Sequence, residues 1–247
     1  MSDKPTLRQA RWDALIAAGA SRFPGAKGRI PNFSGAEAAA EILIASPLWT
    51  RARTLKINPD SPQRPVRYAA LKQGKRLFLP APRLADEHPF IELDPAQLPE
   101  GSAWQASSIK GAYALGRPVS LAAMPPLDLI VTGCVGATRA GARLGKGGGY
   151  SDLEYAMLRE RGCVASDTPI ATTLHPTQLI ENGGIPVEPH DISLDLIATP
   201  SLLIETGRTI PRPAGILWHA LPPEKRRAIP ALEALWRERQ GATATMG

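Results

Sequence analysis

The sequence predicts an α/β fold, a sheet with helices on both faces, and three observations carry that expectation. Short apolar runs of strand length recur at residues 54–57, 76–79, 128–132, 169–174 and 195–199. Segments whose apolar residues repeat at helical spacing lie between several of them, and glycines or prolines punctuate the joins. Such alternation is the pattern of a sheet covered by helices on both sides. Taken in order, Leu7, Ala10, Ala14, Leu15 and Ala18 predict a first helix that stops at Gly19. A basic stretch broken by Pro24, Gly25, Gly28 and Pro31 follows, and residues 34–45 predict a second helix capped by Ser34 or Gly35. Residues 54–57, 66–73 and 76–79 then switch period as strand, helix, strand. Residues 81–104 are rich in proline and acids and are expected to form an excursion; 107–115 return to modest order. The strand at 128–132 is bounded by Pro126 and Gly133. Leu153, Ala156 and Met157 share one face of a helix over 153–161 with Gly162 just past its end. After the strands at 169–174 and 195–199, residues 202–204 with Gly207 predict an edge hairpin. These elements are expected to form one domain over 1–210, with 1–50 as a helical lead-in. Residues 211–247 form a C-terminal extension carrying Lys225-Arg226-Arg227 and a helix over 232–239, expected to dock and to end in a frayed tail.

Composition bounds the function. With 43% hydrophobic and 21% charged residues among 247, the chain is globular, which excludes a wholly disordered one. No apolar run approaches the roughly 20 residues that span a bilayer, and Met-Ser-Asp-Lys-Pro lacks a signal layout, so a cytoplasmic protein without membrane contact is expected. Cys134 and Cys163 are too few for a disulfide framework or zinc site and are expected as free, buried thiols. A net charge of +6 permits an anionic partner, but the basic residues are spread along the chain and aromatics make up only 5%, so nucleic acid is not the expected partner.

The chemistry concentrates between Gly133 and Asp152, a glycine-rich stretch that follows the strand at 128–132 and precedes the helix at 153. Gly145, Gly147, Gly148 and Gly149 surround Lys146, with Arg143 beside them. Glycines let backbone N–H groups turn toward a phosphate, and the following helix start adds partial positive charge, so anion binding is expected. Neither common fingerprint fits. Ala140 and Gly147 stand where a P-loop needs glycine and a hydroxyl residue, and Tyr150 stands where a dinucleotide fingerprint needs its third glycine. Asp152 either caps the helix, in competition with Ser151, or holds Mg²⁺ for a bound nucleotide.

The run Arg143-Leu-Gly-Lys-Gly-Gly-Gly-Tyr-Ser-Asp152 resembles the R-x-G-x-G-x-GYYD loop of the 5-formyltetrahydrofolate cyclo-ligase family. Lys4-x-x-Leu7-Arg8, Gly74-Lys75 before Leu77-Phe78-Leu79-Pro80, Gln178, and Pro186-Val-Glu-Pro-His-Asp191 resemble its other landmarks in order over about residues 4–200. The resemblance implies a three-layer, Rossmann-like open sheet and an ATP- and Mg²⁺-dependent ring closure. In that reaction 5-formyltetrahydrofolate and ATP give 5,10-methenyltetrahydrofolate, ADP and phosphate. By position it implies Lys146 and Arg143 as catalytic residues. It puts Lys4, Arg8, Arg143, Gly145, Lys146, Gly147, Gly148, Gly149 and Tyr150 at ATP, Leu55, Asp60 and Tyr150 at the substrate, and Asp152 and Asp191 at the metal. His190 beside Asp191 is expected to be structural. The family's double tyrosine is Tyr150-Ser151 here, its Phe is absent after Gly136-Ala137-Thr138, and its pterin-binding acid falls near Asp60, between Pro59 and Pro62. Residues 29–33 and 58–62 resemble instead a paralogous branch, the methenyltetrahydrofolate-synthetase-domain-containing proteins. Three functions therefore stand open: the cyclo-ligase reaction; an ATP-using reaction on a different small substrate, with a suggested link to thiamin metabolism; and a non-catalytic nucleotide- or RNA-binding module.

Overall fold

The computed structural model describes residues 2–181 and 184–244, with side chains through Gly241. Helix α1 (Lys4–Ala17) opens at Asp3, whose carboxylate accepts the Thr6 N–H at 2.8 Å. The lead-in is not purely helical: β1 (Ser21–Arg22) and β2 (Asn32–Phe33) pair antiparallel before α2 (Ala36–Ile44) and α3 (Pro47–Arg51). Gly35 caps α2 at φ +86 against Pro200, where an added Cβ would meet the proline ring at 2.8 Å.

The main sheet follows. Its strands are β3 (Thr54–Ile57), β4 (Arg76–Pro80), β5 (Phe90–Leu93), β6 (Arg117–Val119) and β7 (Leu129–Val131), with α4 (Arg64–Lys72) between β3 and β4, and α5 (Ala103–Ala106) and α6 (Ile109–Leu115) between β5 and β6. The small hairpin β8 (Gly136–Ala137) and β9 (Arg143–Leu144) precedes α7 (Tyr150–Glu160). Then come β10 (Ile170–Thr173), β11 (Leu196–Ala198), β12 (Leu203–Glu205), α8 (Pro223–Arg227) and α9 (Pro230–Ala244). The eight-stranded order is β12-β11-β10-β7-β3-β4-β5-β6, parallel from β11 through β4 and antiparallel at both edges.

Side-chain alternation builds the three layers. Leu55, Ile57, Leu129, Val131, Ala171, Leu196 and Ala198 pack with α2, α4 and α6, while Ile130, Ile170 and Ile197 turn to the opposite face, against α7 and α9. Lys56 occupies that second face as a fully buried cation, and Glu154 of α7 pairs with it.

Residues 81–104 correct the expected excursion, because β5 is a buried strand inside it. Glu92 interrupts its apolar run, yet is itself buried between Arg76 and Arg117. Burial raises its pKa, but hydrogen bonds and charge from the two arginines outweigh that and hold the carboxyl below its ordinary value. The extension docks as expected: Ile229, Leu232 and Leu235 join the apolar cluster under α7. The tail beyond residue 244, expected to fray, lies outside the described residues. Both cysteines are free and buried, and among the described residues no helix is long and apolar enough to cross a membrane.

Candidate nucleotide and substrate site

The chain passes from β3 outward to β4, then returns after β6 to place β7 on the other side of β3. Open sheets form a ligand crevice at such a reversal, outside the carboxyl ends of the two strands. Here those ends deliver the turn Asn58-Pro59-Asp60 and the stretch from Thr132 to Gly149.

Gly133 is where the two loops meet. A Cβ there would stand 2.8 Å from Ile30 Cγ2, 2.9 Å from Asp60 Oδ2 and 3.0 Å from Gln63 Oε1. Gln63 is fully buried; its Nε2 donates to Thr173 Oγ1 at 3.0 Å, while its Oε1 has no partner. Arg67 holds the turn by donating to the carbonyls of Asn58 at 2.6 Å and Asp60 at 3.0 Å. Lys146 reaches across to Asp60 Oδ1 at 3.8 Å. Burial pushes the Asp60 carboxyl above its ordinary pKa, and the surrounding cations, Lys146 first, offset this only in part.

The glycine loop is held from several elements. Arg143 of β9 donates to both oxygens of Asp152 at 2.8 and 2.9 Å and to Gly133 O at 3.1 Å. Asp152 Oδ1 also accepts the Ile192 N–H at 3.1 Å. Burial disfavours the charged form of each partner, but the attraction between them wins, so the Asp152 carboxyl titrates low and the Arg143 guanidinium high. Arg8 of α1 donates from Nε to Gly145 O at 2.7 Å and packs beside Gly147, whose φ of +105 favours glycine. Lys4 binds Asp191 Oδ2 at 2.5 Å. Beneath the loop, Lys56 donates to Asn58 Oδ1 at 2.6 Å, and Asn58 Nδ2 to Ser151 Oγ at 3.0 Å. Lys225 of α8 donates to Gly148 O at 2.8 Å and lies 5.4 Å from the Tyr150 ring centroid. Five cationic side chains, Lys4, Arg8, Arg143, Lys146 and Lys225, thus surround this region against the carboxylates of Asp60, Asp152 and Asp191, next to the start of α7. The arrangement suits a polyanion.

Most of the expected residues therefore converge, with three corrections. Leu55 is wholly buried in the cluster facing α2 and α4, since its place in β3 turns it away from α7, so it is a core residue. Neither Ser151 nor Asp152 caps α7: Gly149 holds the cap at φ +66 without a side-chain bond. And the stretch from Gly133 is no simple strand-to-helix loop, because β8 and β9 fold back within it, with Val135 N–H bonded to Leu144 O at 2.7 Å.

The carboxylates of the site differ in their fitness for Mg²⁺. Both oxygens of Asp152 are committed to Arg143, so this carboxylate does not fit a metal ion as it stands. Asp191 fits better, because Lys4 and the Glu188 N–H both engage Oδ2, whereas Oδ1 has His190 Nε2 at 3.9 Å. No cluster of three or more metal-binding side chains occurs among the described residues.

Residues 1–200 match the 5-formyltetrahydrofolate cyclo-ligase family. The chain belongs to that family. It is similar to methenyltetrahydrofolate synthase domain-containing proteins of Bos taurus, at 36% identity over 97% of this chain and 63% of the relative, and of Mus musculus, at 38% over 96% and 64%. The chain thus spans a little under two thirds of the length of these relatives. A solved 5,10-methenyltetrahydrofolate synthetase of Aquifex aeolicus shares the fold, with a TM-score of 0.52 and 20% identity over 88% of this chain and 99% of that one. The family match ends before the extension, whereas the animal relatives align with nearly the whole chain. Lys225, Gln63 and the Lys56–Glu154 pair escaped sequence reasoning. Lys225 stood in what looked like a basic surface run, and the other three carry no local motif.

Proposed function

We propose that the chain is an ATP-dependent ligase of the cyclo-ligase type, acting on 5-formyltetrahydrofolate. The single observation that carries this is the cation-rich glycine loop set against Asp60 at the reversal between β3 and β7. Phosphoryl transfer asks mainly for alignment and charge neutralisation. In the proposed reaction the formyl oxygen attacks the γ-phosphorus and ADP leaves. N10 then adds to the activated carbon and gives up its proton, the carbon–oxygen bond breaks, and phosphate departs with 5,10-methenyltetrahydrofolate formed.

Lys146 is half exposed and opposite Asp60, so its side chain has room to follow the γ-phosphoryl group. Arg143 is a positioning residue, because its guanidinium is spent on Asp152 and Gly133 and fixes the loop's shape. Arg8 and Lys4 hold the phosphates from α1, with Gly145, Gly147, Gly148, Gly149 and Tyr150 lining them. Asp191 would hold Mg²⁺ brought in on ATP, and the ion would supply neutralisation of phosphate charge. Asp60 and the unpaired Gln63 Oε1 offer two acceptors to N–H groups of the substrate.

A second reading, the same phosphoryl chemistry on a different small substrate, draws support from that end of the crevice. The groups nearest Gly133 are Ile30, Asp60 and Gln63, none of them aromatic. The tail as an RNA contact is less favoured, since Lys225 turns to the loop and Arg226 to Glu233 and Trp236. The test is to mix protein, Mg-ATP and 5-formyltetrahydrofolate and follow methenyl absorbance. A rise supports the first reading; a flat trace from protein that binds Mg-ATP supports the second; a chain that binds no ATP defeats both.

A further inference from the structure

Two cavities stand out. The larger, about 360 Å³, opens near the amino end of β11 between Arg51 and Arg208, on the side of the sheet away from the reversal crevice, and holds none of the site residues. The smaller, about 200 Å³, lies directly beside the glycine loop. Its inner wall is Leu153 and Ala156 of α7; its outer wall is Ile216, Leu217, Ala220 and Leu221 of the extension. Gly149, Asp152, His190 and Lys225 line its polar part.

The outer wall is built, not draped. Glu160, at the end of α7, accepts the Ile216 N–H at 3.1 Å and Trp218 Nε1 at 3.3 Å, and leaves no room for a Cβ at Gly215, which would stand 2.4 Å from Oε2. Arg212 pins the start of the segment through the carbonyls of Ser193 at 2.7 Å and Thr168 at 2.9 Å. Lys225 then ends the wall on the loop itself; a Cβ at Gly149 would lie 3.1 Å from its Nζ. Burial lowers the Lys225 pKa and the Asp152 charge opposes this, as for a cation held close over the site rather than in solvent.

An apolar slot that ends in a cation and a glycine loop has the shape of a flat ring joined to an anionic chain. We propose that residues 213–225, beyond the span matched to the family, complete the ligand site of this chain: the slot takes the heterocyclic base of the nucleoside triphosphate, and Lys225 adds a cation on the phosphate side. This deepens the nucleotide reading given above and rests on it.

The experiment compares calorimetric binding of Mg-ATP, inorganic triphosphate and 5-formyltetrahydrofolate to the full chain and to Leu217→Trp, Ala220→Trp and Lys225→Ala, each checked for folding by thermal melting. Filling the slot should weaken ATP by about tenfold or more while triphosphate binds as before, because only the base is displaced. Lys225→Ala should weaken ATP and triphosphate alike, by about threefold to thirtyfold. Two tryptophan positions keep the test open if one variant fails to fold. A wild-type chain that binds ATP, with both slot variants unchanged, overturns the slot and leaves the nucleotide reading standing. A loss confined to 5-formyltetrahydrofolate assigns the slot to the other substrate and likewise overturns it. A wild-type chain that binds neither ATP nor triphosphate defeats the nucleotide reading first.

Discussion

The two banks of the crevice are finished to different degrees. On the loop bank the charged groups are matched before any ligand arrives: Arg143 with Asp152, Lys4 with Asp191, Arg8 with Gly145 O and Lys225 with Gly148 O. On the β3 bank Gln63 Oε1 is buried without a partner, and Asp60 carries a charge that burial disfavours. A matched bank is preorganised and contributes to stability. An unmatched bank stores cost that a ligand with N–H donors relieves. Under the proposed function the matched bank is the one that takes the phosphates and the unmatched bank the one that takes the second substrate.

Substitutions at five residues can break or sharpen this contrast. The largest effect is expected on the matched bank. Arg143→Ala leaves Asp152 buried without a counter-ion and should cost about 3–5 kcal/mol in urea unfolding; a loss within error would mean that the pair contributes nothing. The same pair sets an acid limb. The Asp152 carboxyl titrates below its unfolded value of about 3.9, so its contribution is complete above that value and disappears as pH falls through the lower folded value. The Arg143→Ala variant should lose that limb in acid denaturation. Next, Lys146→Ala or Arg8→Ala should weaken Mg-ATP binding by about 1–3 kcal/mol by calorimetry, and unchanged affinity in both would remove the loop from the nucleotide site. Gly147→Ala, at φ +105, should cost about 1–2 kcal/mol of stability from backbone strain, with Arg8 only in ordinary contact. The smallest and opposite effect belongs to the unmatched bank. Asp60→Asn should melt slightly higher than wild type at neutral pH, because the folded carboxyl with its raised pKa is destabilising once pH exceeds that value. It should bind the second substrate more weakly. A variant that melts lower would show Asp60 to be a structural partner of Lys146 after all.

What the sequence disclosed and what it withheld divide along chain distance. Strands β3, β4, β7, β10 and β11 announce themselves because most residues buried on both faces are apolar, with Lys56, Thr172 and Thr173 as the polar exceptions. β5 hid because Glu92 looks polar in sequence, and only the fold brings Arg76 and Arg117 to it. The glycine loop was legible because backbone approach to an anion needs glycine at successive positions. Its supports were not. Arg8 lies 137 residues from Gly145 and Lys225 lies 77 from Gly148, and no local pattern marks either pairing. Asp152 shows the same limit: an acid in the first turn of a helix suggested a cap or a metal ligand, whereas β9 brings Arg143 to both of its oxygens.

Arg8 and Lys225 grip the same short loop from segments separated by more than two hundred residues. During synthesis, then, the sheet and the loop can form while the ribosome still holds the extension, yet the site gains its last cation only once α8 has emerged. A nascent or proteolytically clipped chain ending at residue 210 would carry the whole span matched to the family and still lack one side of the clasp. Assembly of this site is in that sense a closing step, timed by the emergence of α8 rather than by the core.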